Sequence, residues 1–245
     1  MKNKTFILTS CSYSKGVERW VDSVAKNKGD CLPVVIMYED CFEVPDDFIV
    51  YKQDEKWPGV VKRLFPVEKV IEDLGEDNWY VWTDCCDVVL QAPLVDLDSL
   101  GADVFVCSEQ LKHHQASFWQ FIEKSEFFKN LLPLTIYNVG CFAAKGKALK
   151  DFVYRLHQFC DTVKIHDGCL DQLFFNKWIR LQNYACIDQL FLCLYSTFTE
   201  GHRLETGERI KVIKHKDEQY VMNSKPYSFV HGNGYTKELV NQIKY

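Results

Sequence analysis

Short apolar runs alternate with longer stretches whose apolar residues recur at helical spacing, and that alternation dictates an α/β fold. Phe6-Ile7-Leu8 reads as a buried strand, and residues 16–27 as a helix with Val17, Trp20, Val21 and Val24 on one face. Residues 33–38 and 48–51 read as the second and third strands. After Trp57-Pro58-Gly59 a helix is expected to residue 74, its stripe formed by Val60, Val61, Leu64, Phe65, Val67, Val70 and Ile71. Trp79-Tyr80-Val81-Trp82 is then a strand that runs into Thr83-Asp84-Cys85-Cys86-Asp87. Downstream the pattern predicts strands at 103–107 and 136–142 and helices at 118–131, 148–160 and 170–180. Short strands at 209–214, 219–222 and 228–231 and a closing helix at 237–243 complete it. No repeat or Gly/Ser/Pro linker interrupts this order, so residues 1–245 are expected to form one Rossmann-like unit: an open, mostly parallel sheet flanked by helices.

Charge narrows the partners. Lys and Arg number 29 against 34 Asp and Glu, and no basic run occurs, so the footprint of a nucleic-acid binder is missing. The 11 cysteines are odd in number and contain no C-x-x-C pair, unlike a zinc or redox motif. The N-terminus has only Phe6-Ile7-Leu8 as an apolar run, too short for a signal peptide, and no window is apolar enough for a membrane span. A cytoplasmic protein with reduced thiols is expected, most of them small buried hydrophobes.

Asp84 falls at the carboxyl end of a strand, where open parallel sheets bind ligands. Asp84 and Asp87 would point to opposite faces of a continuous strand, so they share a ligand only if the chain turns between them. Two carboxylates held together repel, and a divalent cation between them resolves that. For an arbitrary D-x-x-D, a turn cap and a solvated acid is the commoner outcome. Here the flanking buried strands and a matching C-terminal segment shift the balance. Asp96-Leu97-Asp98 has tighter spacing, but it follows Pro93 in a Leu-rich segment and reads as a helix start, a structural role.

The matching segment is Tyr227-Ser228-Phe229-Val230-His231-Gly232-Asn233-Gly234-Tyr235-Thr236-Lys237. A strand ends in His231, Gly232 and Gly234 allow backbone amides to face an anion, and Lys237 adds charge at a helix start. This is a diphosphate cradle, and His231 is placed to be the third metal ligand beside Asp84 and Asp87. Two carboxylates and an imidazole suit Mn²⁺ better than Mg²⁺, which remains possible.

Together these segments resemble metal-dependent GT-A glycosyltransferases, most closely the glycosyltransferase domain of procollagen lysyl hydroxylases and more distantly glycogenin-like enzymes. Thr83-Asp84-Cys85-Cys86-Asp87-Val88-Val89 is similar to that family's T/V-D-S-Y-D-V-I, and Tyr137-Asn138-Val139-Gly140-Cys141-Phe142 to L-N-S-G-G-F. Asp171-Gln172-Leu173-Phe174-Phe175 is similar to D-Q-L-F-Y, and residues 231–237 to H-G-N-G-P-T-K. The resemblance implies a GT-A fold with a nucleotide-binding half over about 1–100 and an acceptor or sugar half over about 101–245. It implies Mn²⁺ on Asp84, Asp87 and His231, with Asp84, Cys85 and Cys86 along the uridine and ribose. Ser10, Cys11 and Ser12 would touch the uracil, and Gly234, Tyr235, Thr236 and Lys237 the diphosphate. Asn138, Asp171 and Gln172 would face the sugar, with Asp171 or Gln172 stabilising its cation or acting as nucleophile. Lys62 or Arg63 would reach donor phosphate or sugar, unless they form a solvated basic pair.

The implied activity is transfer of glucose or galactose from a UDP-sugar to an acceptor hydroxyl of a glycan or protein, with retention. The chain departs from the family pattern in two places: Cys86 replaces a tyrosine, and the run before Asp171 keeps only the last of the family's acids. With no hydroxylase domain in the sequence, a viral or bacterial relative with another acceptor is expected. The competing reading is a catalytically lapsed nucleotide-sugar or glycan-binding module. A nucleotidyltransferase is disfavoured because Thr9-Ser10-Cys11-Ser12-Tyr13-Ser14-Lys15-Gly16 is only weakly like a phosphate loop. Lys112-His113-His114 and the following residues to Trp119 read as a solvated connection.

Overall fold

The computed structural model describes residues 3–12, 16–39, 42–112, 122–123, 125–163, 170–182, 184–188, 193–195, 221–222, 225–226 and 228–232. Its strands are β1 (Thr5–Cys11), β2 (Leu32–Met37), β3 (Ile49–Lys52), β4 (Trp79–Thr83), β5 (Val88–Leu90), β6 (Val104–Val106) and β7 (Ser108–Lys112). They continue with β8 (Thr135–Tyr137), β9 (Cys141–Lys145), β10 (Cys186–Asp188), β11 (Cys193–Tyr195), β12 (Val221–Met222), β13 (Lys225–Pro226) and β14 (Phe229–His231). The helices are α1 (Val17–Asn27), α2 (Val67–Leu74), α3 (Gly146–Val163) and α4 (Leu170–Leu181).

Among the described residues the main sheet has seven strands in the order β10-β6-β9-β4-β1-β2-β3. All neighbours pair in parallel except β9, which runs antiparallel to both β4 and β6. This is an α/β architecture with a mostly parallel mixed sheet flanked by helices, compatible with a Rossmann-like fold. Strand order reverses between β1, which continues to β2 and β3, and β4 on its other side. The crevice at the carboxyl ends of β1 and β4 is thus a topological switch point, the usual ligand position in open α/β sheets.

Why these strands read as continuous apolar runs is plain from their burial. Trp79, Tyr80, Val81 and Trp82 alternate between the two faces, and all four are at most 1% exposed because both faces are covered. One face packs Leu8, Val34, Tyr80, Trp82 and Phe142 against α2, α3 and α4; the other packs Ile7, Val35, Val81 and Phe105 against Val17, Trp20, Val21 and Val24 of α1. A smaller sheet, β11-β14-β5, lies beside α1. Ser23 Oγ accepts the Leu90 N–H at 3.0 Å and Asn27 Nδ2 donates to Leu90 O at 2.9 Å, tying α1 to β5.

Three expected elements differ. The helix expected to residue 74 is a 3-10 turn at Lys62–Leu64 and then α2, because Pro66 cannot donate into a preceding turn and instead opens the next helix. The single strand expected at 136–142 is two, β8 and β9, separated by the turn at Asn138, Val139 and Gly140. The helix expected at 118–131 is helical at 122–123 in its described part, then passes through a turn at 126–128 into a 3-10 turn at Lys129–Leu131. Residues 209–214 and 237–243 lie outside the described residues. No described helix is long and apolar enough to cross a membrane.

Candidate metal centre

The end of β4 is pinned before it reaches Asp84. Thr9 Oγ1 donates to Thr83 O at 2.8 Å, and the buried Trp20 indole N–H donates to Thr83 Oγ1 at 2.8 Å. Asp84 N then donates to Gly140 O at 2.8 Å, joining the acidic turn to the β8–β9 turn. The chain reverses through Cys85 and Cys86 and re-enters pairing at β5, so Asp84 and Asp87 flank a turn.

The third ligand arrives from the far end of the sequence. β14 pairs antiparallel with β5, placing His231 opposite Val88, and Gly232 N donates to Asp87 O at 2.7 Å. His231 Nε2 lies 3.4 Å from Asp87 Oδ1 and 3.6 Å from Asp84 Oδ2, and one ligand atom from each residue falls within 4.8 Å of the others. The His231 side chain is 1% exposed. Gly140 closes the cradle: a Cβ there would sit 2.6 Å from Asp84 Oδ2 and closer still to the His231 ring. The donor set, two carboxylates and an imidazole in a space that one methyl would fill, fits a borderline-hard divalent cation.

Charge supports the same conclusion. Asp84 uses its other oxygen, Oδ1, to meet Arg63 at 2.7 Å, and Arg63 also lies 3.7 Å from Asp171 Oδ2. Arg63 packs over the Trp82 ring at 5.7 Å. Burial alone would lower its pKa, but Asp84 and Asp171 reverse that and hold it firmly charged. Asp171, 2% exposed near the start of α4, has its carboxyl pushed up to about 6 by burial, against the pull of Arg63 and of the Gln172 N–H. The Arg63 guanidinium thus faces the carboxylates of both Asp84 and Asp171.

Other residues singled out in the sequence take distinct places. Gln172 is turned to the backbone: Oε1 accepts the Val139 N–H at 3.0 Å and Nε2 donates to Tyr137 O. Asn138 is 2% exposed, and its Oδ1 accepts the Gly140 N–H at 2.7 Å. Both amides therefore shape the turn under the metal centre. Ser10 and Cys11 end β1 as buried residues and Ser12 follows half-buried; Ser10 Oγ has no hydrogen-bond partner among the described residues. Lys62 is exposed, unlike Arg63. Cys85 is buried and Cys86 half-buried, with their Sγ atoms 3.1 Å apart. Asp98 accepts the Trp79 indole N–H at 2.8 Å, a structural role. Gly234, Tyr235, Thr236 and Lys237, and the segment from His113 to Trp119, lie outside the described residues.

Sequence reasoning missed Gly140, Asn176 and Arg180. Asn176 holds both backbone groups of Tyr137, with Oδ1 accepting its N–H at 2.8 Å and Nδ2 donating to its O at 2.7 Å. Arg180 donates to Asn176 Oδ1 at 3.0 Å and to Thr135 O at 2.5 Å, and lies over the Tyr137 ring at 4.7 Å. Gln172, Asn176 and Arg180 recur every fourth residue, so they form one polar stripe on α4. That spacing was the available signal, masked by the apolar residues between them.

Comparison of the chain with protein-family models and with curated proteins finds no match.

Proposed function

We propose that the protein is a metal-dependent glycosyltransferase of GT-A type that moves glucose or galactose from a UDP-sugar to an acceptor hydroxyl of a glycan or protein. The observation that carries this reading is the convergence of Asp84, Asp87 and His231 at the switch point of the sheet, with Arg63 and Asp171 on the side facing α4.

The triad would hold Mn²⁺, with Mg²⁺ as a second choice, and the ion would offset the charge that builds on a departing diphosphate. The chain's own residues do the rest. Arg63 fixes the Asp84 carboxylate so that one oxygen stays directed at the triad. Asp171, held by its contact with Arg63, provides a carboxylate for the sugar as its anomeric carbon becomes cationic. Gln172 and Asn138 position the turn below, and Ser10, Cys11 and Ser12, at the end of β1, would contact the base in this reading. Residues 234–237 add amides and Lys237 to the diphosphate in this reading.

The test is UDP release from a panel of UDP-hexoses with Mn²⁺ and with chelator. The expected result is release with UDP-glucose or UDP-galactose that chelator abolishes. Thermal stabilisation by UDP and Mn²⁺, with no release from any donor in the presence of glycan and protein acceptors, would overturn transfer in favour of a binding module.

A further inference from the structure

The mechanism leaves two thiols unused in the middle of the metal turn. Cys85 and Cys86 stand between Asp84 and Asp87, and their Sγ atoms are 3.1 Å apart, inside ordinary sulfur contact. Cys85 is 6% exposed, whereas Cys86 is half-buried and open to small solutes. The turn lies against the start of α1. A Cβ on Gly16 would meet Cys86 O at 3.1 Å, and Gly16 itself holds a φ of +89° at the start of α1.

We propose that Cys85 and Cys86 form a reversible vicinal disulfide, and that its closure weakens cation binding by Asp84, Asp87 and His231. The oxidant class is a small hydroperoxide. Cys86 Sγ attacks the peroxide, giving the sulfenic acid and releasing an alcohol or water. Cys85 Sγ then displaces hydroxide from the Cys86 sulfur; its proton leaves with that hydroxide as water, and the S–S bond forms. The pair loses two electrons and two protons in total. A dithiol reductant reverses the step by exchange.

The coupling to the metal is geometric. An S–S bond of about 2.05 Å with a torsion near 90° requires the two sulfurs to close by about 1 Å and the Cβ atoms to rotate. The adjustment passes along the backbone to the residues flanking the ring, Asp84 and Asp87, which are the two carboxylates. Linkage makes the effect reciprocal, so bound cation shifts the equilibrium from disulfide toward dithiol.

The coupling rests on the metal reading above; the disulfide itself does not. Hydrogen peroxide treatment of the full chain, followed by peptide mapping, should show the 85–86 peptide lighter by two hydrogens and restored by dithiothreitol. Mn²⁺ titration of oxidised and reduced protein should show affinity falling about tenfold or more on oxidation, and Mn²⁺ should lower the disulfide fraction at equilibrium in a thiol–disulfide buffer. In Cys86→Ser, peroxide should leave that variant's own Mn²⁺ affinity unchanged. Absence of the linked peptide overturns the proposal. A linked peptide with equal Mn²⁺ affinity in both states overturns the coupling. Reduced protein that binds no Mn²⁺ overturns the metal reading and the coupling with it, while the peptide map still decides the disulfide.

Discussion

At Gly140 the missing side chain lets ligand atoms from two distant parts of the chain, residues 84–87 and His231, converge. Gly140→Ala should leave the far-UV spectrum unchanged and lower Mn²⁺ affinity at least tenfold, read by calorimetric titration; wild-type affinity would contradict the crowding argument. Asp171 gives a second residue-scale expectation. Its folded pKa of about 6 lies above the ordinary aspartate value of 3.8, so over that interval the folded state holds a proton the unfolded state has released. Its contribution to stability is therefore greatest below pH 4 and is lost as pH rises through about 6. In metal-free protein, Asp171→Asn should gain in Tm relative to wild type as pH goes from about 4 to 7, and a constant difference across that range would count against the assignment. The residues most legible in the sequence were those whose chemistry is unusual where they stand, such as Asp84, Asp87 and His231. Gly140 and Asn176 were not, because their roles depend on what approaches them in space.

Helix α4 works as a polar edge against β8. Gln172, Asn176 and Arg180 pair with backbone groups from Thr135 to Val139 and so support the turn on which Asp84 N rests. Asn176→Leu would remove the acceptor that meets the Tyr137 N–H and a donor to its carbonyl, costing about 1–3 kcal/mol in urea unfolding. Mn²⁺ affinity should fall alongside, since the turn carries Gly140; unchanged stability would contradict the pairing role. Parallel strands were readable because burial on both faces makes them unbroken apolar runs. The β8–β9 turn was not, since Val139, Cys141 and Phe142 continue the apolar run past Asn138 and Gly140. Pro66 was a visible signal for the break before α2, outweighed by the apolar stripe around it.

At the scale of the molecule, the sheet order places a switch point between β1 and β4, and every described ligand candidate gathers there. That α/β class was legible from alternation alone. The pairing of β5 with β14, which brings residues 88–90 to 229–231, was not, because local pattern carries no information about partners so far apart. The central claim is that this convergence holds a divalent cation on which turnover depends. Its most direct test compares wild type with Asp84→Ala for Mn²⁺-dependent UDP release at saturating UDP-glucose and UDP-galactose. The account predicts release by wild type that chelator abolishes and a rate at least about 100-fold lower in the variant. Equal release by the variant, or release by wild type that persists in chelator, would contradict it.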